Sequence, residues 1–192
     1  MKFVKEIRER FRSAPVFTLR DVAAFLKAQG AAAGYAKLAL HNLAAKGEIK
    51  RVTKGVYTFS TELMVAGFAF RPFYYGLQEA LSIHGLWEQE TVPIVITPKR
   101  VRQGRKEFLG NNFIVRRIAR KMFFGFGMMK YYDFWIPVSD VEKTLVDFVY
   151  FREPLSKETM LEIKKRIRKE VLEDYLSRCP KRFAGRVRKL LN

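Results

Sequence analysis

The stretch FTLRDVAAFLKAQGAAAGYAKLALHNLAAKGEIKRVTKGVYTF, residues 17–59, constrains the fold more than any other part of the chain. Thr18 reads as a helix N-cap, with Asp21 three residues on completing a capping-box-like pair. A helix then runs to about Gln29, burying Val22, Phe25 and Leu26, and Gly30 ends it. The small residues Ala31 to Gly34 make a turn. The next helix runs from about Ala33 to Lys46 and turns Ala36, Leu40 and Leu43 to the core. That spacing leaves Tyr35, Lys37, Leu38, His41, Asn42 and Ala45 facing outward. Gly47 is its stop. EIKRV and VYTFS then alternate as two strands around Thr53-Lys54-Gly55, a tight hairpin. Upstream, Phe3, Val4, Ile7 and Phe11 recur at helical spacing over residues 2–12, and Pro15 closes that helix. The order is that of a winged helix-turn-helix domain over residues 1–62.

After Glu62 the pattern changes to a mixed α+β domain, residues 63–192. LMVAGFAF and RPFYYG are aromatic-rich and read as extended or linking. YGLQEALSIHGL reads as a helix, and TVPIVITP as a buried strand. KEFLGNNFIVRRIA reads as a hairpin turning near Gly110-Asn111-Asn112, and MMKYYDFWIPV as one further strand. Ser139 is placed to cap a helix over SDVEKTLVDFVYF, with Glu142 at the capping-box position and Val141, Leu145 and Phe148 as its buried stripe. SKETMLEIKKRIRKEVLEDYLSR reads as one long helix with a stripe of Met160, Ile163, Ile167, Val171 and Tyr175. Pro180 breaks it before a last short helix, KRFAGRVRKLLN. The fold class is therefore α+β, a winged helix-turn-helix followed by a mixed domain with a helical tail.

Charge narrows the partner. The chain holds 37 Lys and Arg against 19 Asp and Glu, a net +18. Such an excess favours a polyanion, because bound cations release counterions condensed on phosphate. Its distribution is uneven: +8 over residues 1–60, +3 over 61–150 and +7 over 151–192. A helix of the size of residues 33–46 fits a DNA major groove, and a basic hairpin tracks the neighbouring phosphates. The DNA-contact candidates are Tyr35, Lys37, His41 and Asn42 on the helix and Lys50, Arg51 and Lys54 on the wing. Asn42 suits adenine, Lys37 guanine or phosphate, and the free N–H groups starting the helix after Thr18 suit a further phosphate. A second basic surface is expected from Lys99, Arg100, Arg102, Arg105, Lys106, Arg116, Arg117, Arg120 and Lys121, among which Glu107 is the lone anion.

Other chemistry is thin. One cysteine, Cys179, excludes an intramolecular disulfide, and two histidines with that thiol do not make a zinc site of ordinary spacing. There is no phosphate-binding Gly-rich loop and no dinucleotide fingerprint, so no cofactor and no metal are expected. Ser82 and His84 are two apart on a helix and do not face each other. Glu142 with Asp147 suggests metal-dependent nuclease chemistry only weakly; a capping Glu142 and a surface or ion-paired Asp147 are the plainer readings. No enzymatic activity is expected. No apolar run reaches the roughly 18–20 residues needed to cross a bilayer, and Met1 leads straight into a charged amphipathic stretch, so a cytoplasmic protein without a membrane partner is expected. Asn and Gln number four each, a composition found in thermophiles.

Taken in order, GEIKRVTKGVYTF, YYGLQEALSIHGL, TVPIVITPKR, FIVRRI, FFGF and IPVSDVEKTLVDFVYF resemble the AbiEi-type antitoxins, transcriptional regulators of type IV toxin–antitoxin systems of viral defence. The resemblance spans residues 3–151. It implies an N-terminal domain that represses its own operon by binding double-stranded DNA at inverted repeats, with homodimerisation on DNA as a softer expectation. It also implies a C-terminal domain that counteracts a nucleotidyltransferase-like toxin without necessarily touching it. It points to the same contact residues, Tyr35, Lys37, His41, Asn42, Lys50, Arg51 and Lys54. Two other readings stay open at this point: an RNA-binding or nucleic-acid-processing protein working through the basic strip, and an interaction protein whose helix-turn-helix is scaffold.

Overall fold

The computed structural model describes residues 3–191. The chain divides into two compact units, one running to Ala69 and including Phe108–Asn111, the other taking Phe70–Glu107 and the chain from Asn112 onward.

The first unit runs α1 (Val4–Phe11), β1 (Phe17–Thr18), α2 (Leu19–Ala28), α3 (Tyr35–Ala45), β2 (Lys50–Thr53) and β3 (Val56–Thr58). Lys2, the expected first residue of the leading helix, lies outside the described residues. Thr18 caps α2 as expected: its side chain accepts from the Asp21 N–H at 3.1 Å, while the Asp21 carboxylate accepts from the Thr18 N–H at 2.7 Å. Both expected glycine stops are Schellman closures. The Ala31 N–H donates to the Leu26 carbonyl and the Glu48 N–H to that of Leu43, with Gly30 and Gly47 at φ of +77° and +72°. Strand β1 leaves no mark in the sequence, because two residues carry no periodicity. It exists because Phe17 is buried against Phe11, Tyr57 and Phe59, and it joins β3 to give a sheet of order β1-β3-β2. The core is Ile7, Phe11, Phe17, Val22, Leu26, Ala36, Ala39, Leu40, Leu43 and Ile49. Each large member stabilises the unit by about 1.5–3 kcal/mol through its removal from water.

The second unit is built on a six-stranded sheet of order β6-β7-β5-β4-β9-β8. Its strands are β4 (Tyr74–Tyr75), β5 (Ile94–Thr97), β6 (Gly104–Phe108), β7 (Asn111–Arg117), β8 (Phe126–Tyr131) and β9 (Phe134–Ser139). The central pairs β5·β7 and β4·β9 are parallel, while β4·β5 and β8·β9 are antiparallel. Short helix α4 (Gln78–Ile83) precedes β5, and α5 (Val141–Phe151), α6 (Lys157–Arg166), α7 (Lys169–Ser177) and α8 (Lys181–Leu191) follow β9. Helix α5 is the hub, with α4, α6, α7, α8 and β9 packed around it. Tyr74, Leu81, Ile96, Leu145, Phe148, Ile163, Leu172, Leu176 and Val187 belong to one core.

Five sequence expectations are corrected here. LMVAGFAF is a 3-10 helix, Leu63–Phe70, not an extended link. MMKYYDFWIPV is not one strand but parts of two, β8 and β9, joined at Tyr132-Asp133 with Tyr132 at φ +48°. That turn has no glycine to announce it. Ser139 does not cap α5; it ends β9, buried, and its hydroxyl meets Thr144 Oγ1 at 2.8 Å. Asp140 is the N-cap, accepting from the Lys143 N–H at 2.7 Å. The long tail helix is two helices: Ile167 leaves the helical region at ψ 129°, and α7 buries Leu172 and Leu176 in place of the expected Val171 and Tyr175.

Candidate nucleic-acid interface

Helix α3 shows what an eleven-residue helix on a small core must show. Ala36, Ala39, Leu40 and Leu43 are buried on one side. At 100° per residue the opposite arc is Lys37, Leu38, His41, Ala44 and Ala45, and all five are exposed. Leu38 is the one large apolar side chain of this ridge, 53% exposed. The ridge carries no acidic group.

Two of the four helix candidates sit elsewhere. Tyr35 is half-buried; its ring stands edge-on to Phe3, centroids 5.6 Å apart, and its hydroxyl is buried with no hydrogen-bond partner among the described residues. Asn42 is also half-buried, on the flank of α3 that lines a small hollow with Val4, Arg8, Lys46 and Glu48. Arg8 forks onto Glu48 there, Nε to Oε2 at 2.8 Å and Nη2 to Oε1 at 2.9 Å, tying α1 to the residue that follows the α3 stop. That fork holds the Glu48 carboxyl below its ordinary range. Sequence periodicity offers six outward positions where the arc has room for five. Tyr35 and Asn42 fall just outside that arc, beyond Leu38, while Ala44 closes it at the other end and His41 sits at its centre.

The hairpin sorts its cations by strand parity. Arg51 and Thr53 are exposed on one face of β2, Lys50 and Val52 half-buried on the other. Arg51 Nε reaches the Thr53 carbonyl at 3.4 Å. Lys54 is exposed at the tip, where Gly55 takes φ +76°. The tip is tied down, since the Leu19 N–H donates to the Gly55 carbonyl at 3.1 Å. With the Asp21 N–H held by Thr18, two of the first three N–H groups of α2 are occupied. An Asp21 carboxylate stands beside them, so α2 does not present the open phosphate site expected of it.

In the second unit the basic strip does not form one face. Arg116 and Arg117 are neighbours in β7 and point to opposite sides of the sheet. Arg116 is half-buried, ion-paired with Glu153 and lying over the Phe151 ring at 5.5 Å. Lys106 is half-buried over the Phe70 ring. Lys99, Arg100, Arg102, Arg105, Arg117, Arg120 and Lys121 are exposed.

The acidic pair is engaged in structure. Glu142, 1% exposed, receives a bidentate fork from Arg168, at 3.1 and 2.9 Å, and the Arg168 N–H at 2.7 Å. Burial alone would raise its carboxyl; the Arg168 bonds outweigh that and hold it below the ordinary range. Asp147 is fully buried, paired with Lys143 through Oδ1 and accepting from the Tyr74 hydroxyl at 2.8 Å through Oδ2. Burial pushes its carboxyl up, against the pull of both partners. His84 meets the Ser139 carbonyl through Nε2 at 2.8 Å, a structural role. Cys179 is half-buried, and burial raises its thiol. Among the described residues no three His, Cys, Asp or Glu are grouped to hold a metal ion, and no helix is long and apolar enough to cross a membrane.

Residues 5–60 match the model of a family described as transcriptional regulators, AbiEi antitoxins. The resemblance read from the sequence holds for this segment. No curated protein matches the chain. Among solved structures, the RV2827C protein from Mycobacterium tuberculosis is similar over 99% of this chain and 75% of that one, with a TM-score of 0.64 at 16% identity. At that identity the likeness is one of fold.

Proposed function

With a regulator-family match over residues 5–60 as the premise, we propose that this protein is a sequence-specific double-stranded DNA-binding repressor that acts as the autoregulating antitoxin of a type IV toxin–antitoxin pair. The order α1-β1-α2-α3-β2-β3 is that of a winged helix-turn-helix. One observation carries the reading: α3 buries one side in its own core and leaves Lys37, Leu38, His41, Ala44 and Ala45 as an exposed ridge without carboxylates. Small alanines let a helix approach base edges closely. Lys37 and His41 supply donors, and Leu38 supplies an apolar surface for a thymine methyl. Arg51 and Lys54 on the hairpin meet the adjacent phosphates. Base reading thus falls to Lys37, Leu38 and His41, and Tyr35 and Asn42 hold α3 in place from its flank. The operator is an inverted repeat bound by two copies, and a nucleotidyltransferase-like toxin is the functional counterpart. The protein acts by binding and not by catalysis, since Glu142 and Asp147 are already committed to Arg168 and Lys143.

The test is footprinting and gel retardation on the DNA upstream of the protein's own gene, over a salt series. Lys54→Ala should weaken operator and random duplex alike and flatten the log K against log salt slope by about 0.9. Leu38→Ala, at an exposed position, should keep the fold and lose about 1 kcal/mol on operator alone. Equal loss on every sequence for Leu38→Ala, or no retardation of any duplex at low salt, would overturn the reading.

A further inference from the structure

A hollow of about 540 Å³ opens in the second unit between the 3-10 turn Arg120–Met122, the C-terminal end of α5 and the start of α8. Lys121, Arg152, Arg182 and Arg186 line it, over a floor of Met122, Tyr150 and Phe183, and no carboxylate does. None of the four cations makes an ion pair among the described residues, although the same unit pairs Arg116, Lys143, Arg168, Arg178 and Arg188. Their placement runs against stability. Arg182 and Arg186 are like charges one turn apart on α8, which repel. Arg182 also lies in the first turn of α8, where the helix dipole disfavours a cation and no acid offsets it. Arg152 holds the left-handed C-cap of α5 at φ +58°, a conformation that favours glycine. The floor is built in advance: Arg186 lies over the Phe183 ring at 5.4 Å, and the Tyr150 hydroxyl is fixed by the Ala119 N–H at 3.2 Å.

We infer that this hollow binds a nucleoside triphosphate. Its volume lies in the range of small-ligand sites, roughly 300–1,000 Å³. Its charge is comparable to that of a triphosphate chain and exceeds what one monophosphate would balance. Guanidinium groups bind phosphate oxygens in a bidentate manner, and the apolar floor suits the base. The site is separate from the α3 ridge, so the inference stands or falls independently of the DNA reading.

Calorimetric titration of the full chain with ATP, GTP, CTP and UTP tests it. One equivalent of at least one nucleotide should bind saturably in the micromolar range. Arg182→Ala with Arg186→Ala should weaken that at least tenfold. Arg152→Gly should weaken it too while leaving the melting temperature unchanged or higher, because glycine accepts the left-handed conformation. Lys99→Ala with Arg100→Ala, a charge-matched control elsewhere in the unit, should bind as the parent does. No saturable binding of any triphosphate at millimolar concentration overturns the inference, as does an equal loss in the control variant. Inorganic tripolyphosphate binding as tightly as every nucleotide overturns it as well, and so does a single-stranded oligonucleotide binding there more tightly than all of them.

Discussion

Replacing Lys143 by Met isolates the buried charge at the centre of the second unit. Lys143 and Asp147 are one turn apart on α5, both side chains fully buried. The ammonium also lies 5.4 Å from the Tyr74 ring centroid and 5.2 Å from that of Phe124. Met keeps an unbranched stem and removes the charge. Asp147 is then left with the Tyr74 hydroxyl as its remaining partner. Breaking a buried pair in this way costs about 3–5 kcal/mol, because one charge stays in a medium that does not solvate it. Against a domain stability of about 5–15 kcal/mol this is a large loss. The carboxyl has one relief, which is to bind a proton. Burial already pushes Asp147 up in the parent, and without Lys143 it rises further. Between the unfolded pKa of about 3.9 and the raised folded value, the native state then holds more protons than the unfolded state. Stability therefore falls as pH rises through that window, by up to about 1.4 kcal/mol per pH unit. Urea denaturation from pH 5 to 8 reads this directly by tryptophan fluorescence, because both tryptophans, Trp87 and Trp135, lie in the second unit. The deficit of Lys143→Met relative to the parent should widen from pH 5 to pH 8. Lys143→Met with Asp147→Asn should show no such widening. A deficit at pH 8 below about 1 kcal/mol, or one that does not change with pH, refutes the account of Asp147 as a charge held by Lys143.

Arg168→Ala should destabilise the second unit, but by less than Lys143→Met does, because the arginine end of this pair is 62% exposed. In the parent, the depressed Glu142 carboxyl contributes stability that is present above the unfolded value of about 4.3 and lost as pH falls through the folded one. Acid titration of Arg168→Ala should show that part of the acid-side loss removed, and an unchanged profile would exclude the pair as its source. Thr18→Ala should destabilise the first unit by about 1 kcal/mol, read as faster hydrogen exchange of the α2 amides; unchanged exchange would show the capping box to be idle.

Sequence periodicity reached those features of the interface that local chemistry sets. The capping box at Thr18, the glycine stops at Gly30 and Gly47, and the hairpin at Lys54-Gly55 each depend on residues within five positions of one another. The ridge itself was legible to within its edges. Tyr35 and Asn42 were counted into it because periodicity ranks positions by angle and says nothing of what α1 brings up beside them. In the basic strip, charge alone groups Arg116 with Arg117 on one surface, although strand alternation sends them to opposite sides, and only Glu153, 37 positions away, shows which of the two is neutralised.

What the sequence determined by itself is therefore the set of helices with strong caps, the α3 arc and the excess of positive charge. Tertiary structure decided the rest, and α5 shows why. In its run Glu142-Lys143-Thr144 with Asp147, the sequence reads Glu142 as a helix cap and Asp147 as a surface or ion-paired group, and names a partner for neither. In the fold all four are buried, each with a partner: Arg168, Asp147, Ser139 and Lys143. The same Arg168–Glu142 fork fixes the break between α6 and α7, at a point where the local sequence favours an unbroken helix. Whether a charged side chain belongs to the surface or the interior depends on a counter-charge supplied from elsewhere in the chain, and local periodicity carries no record of it.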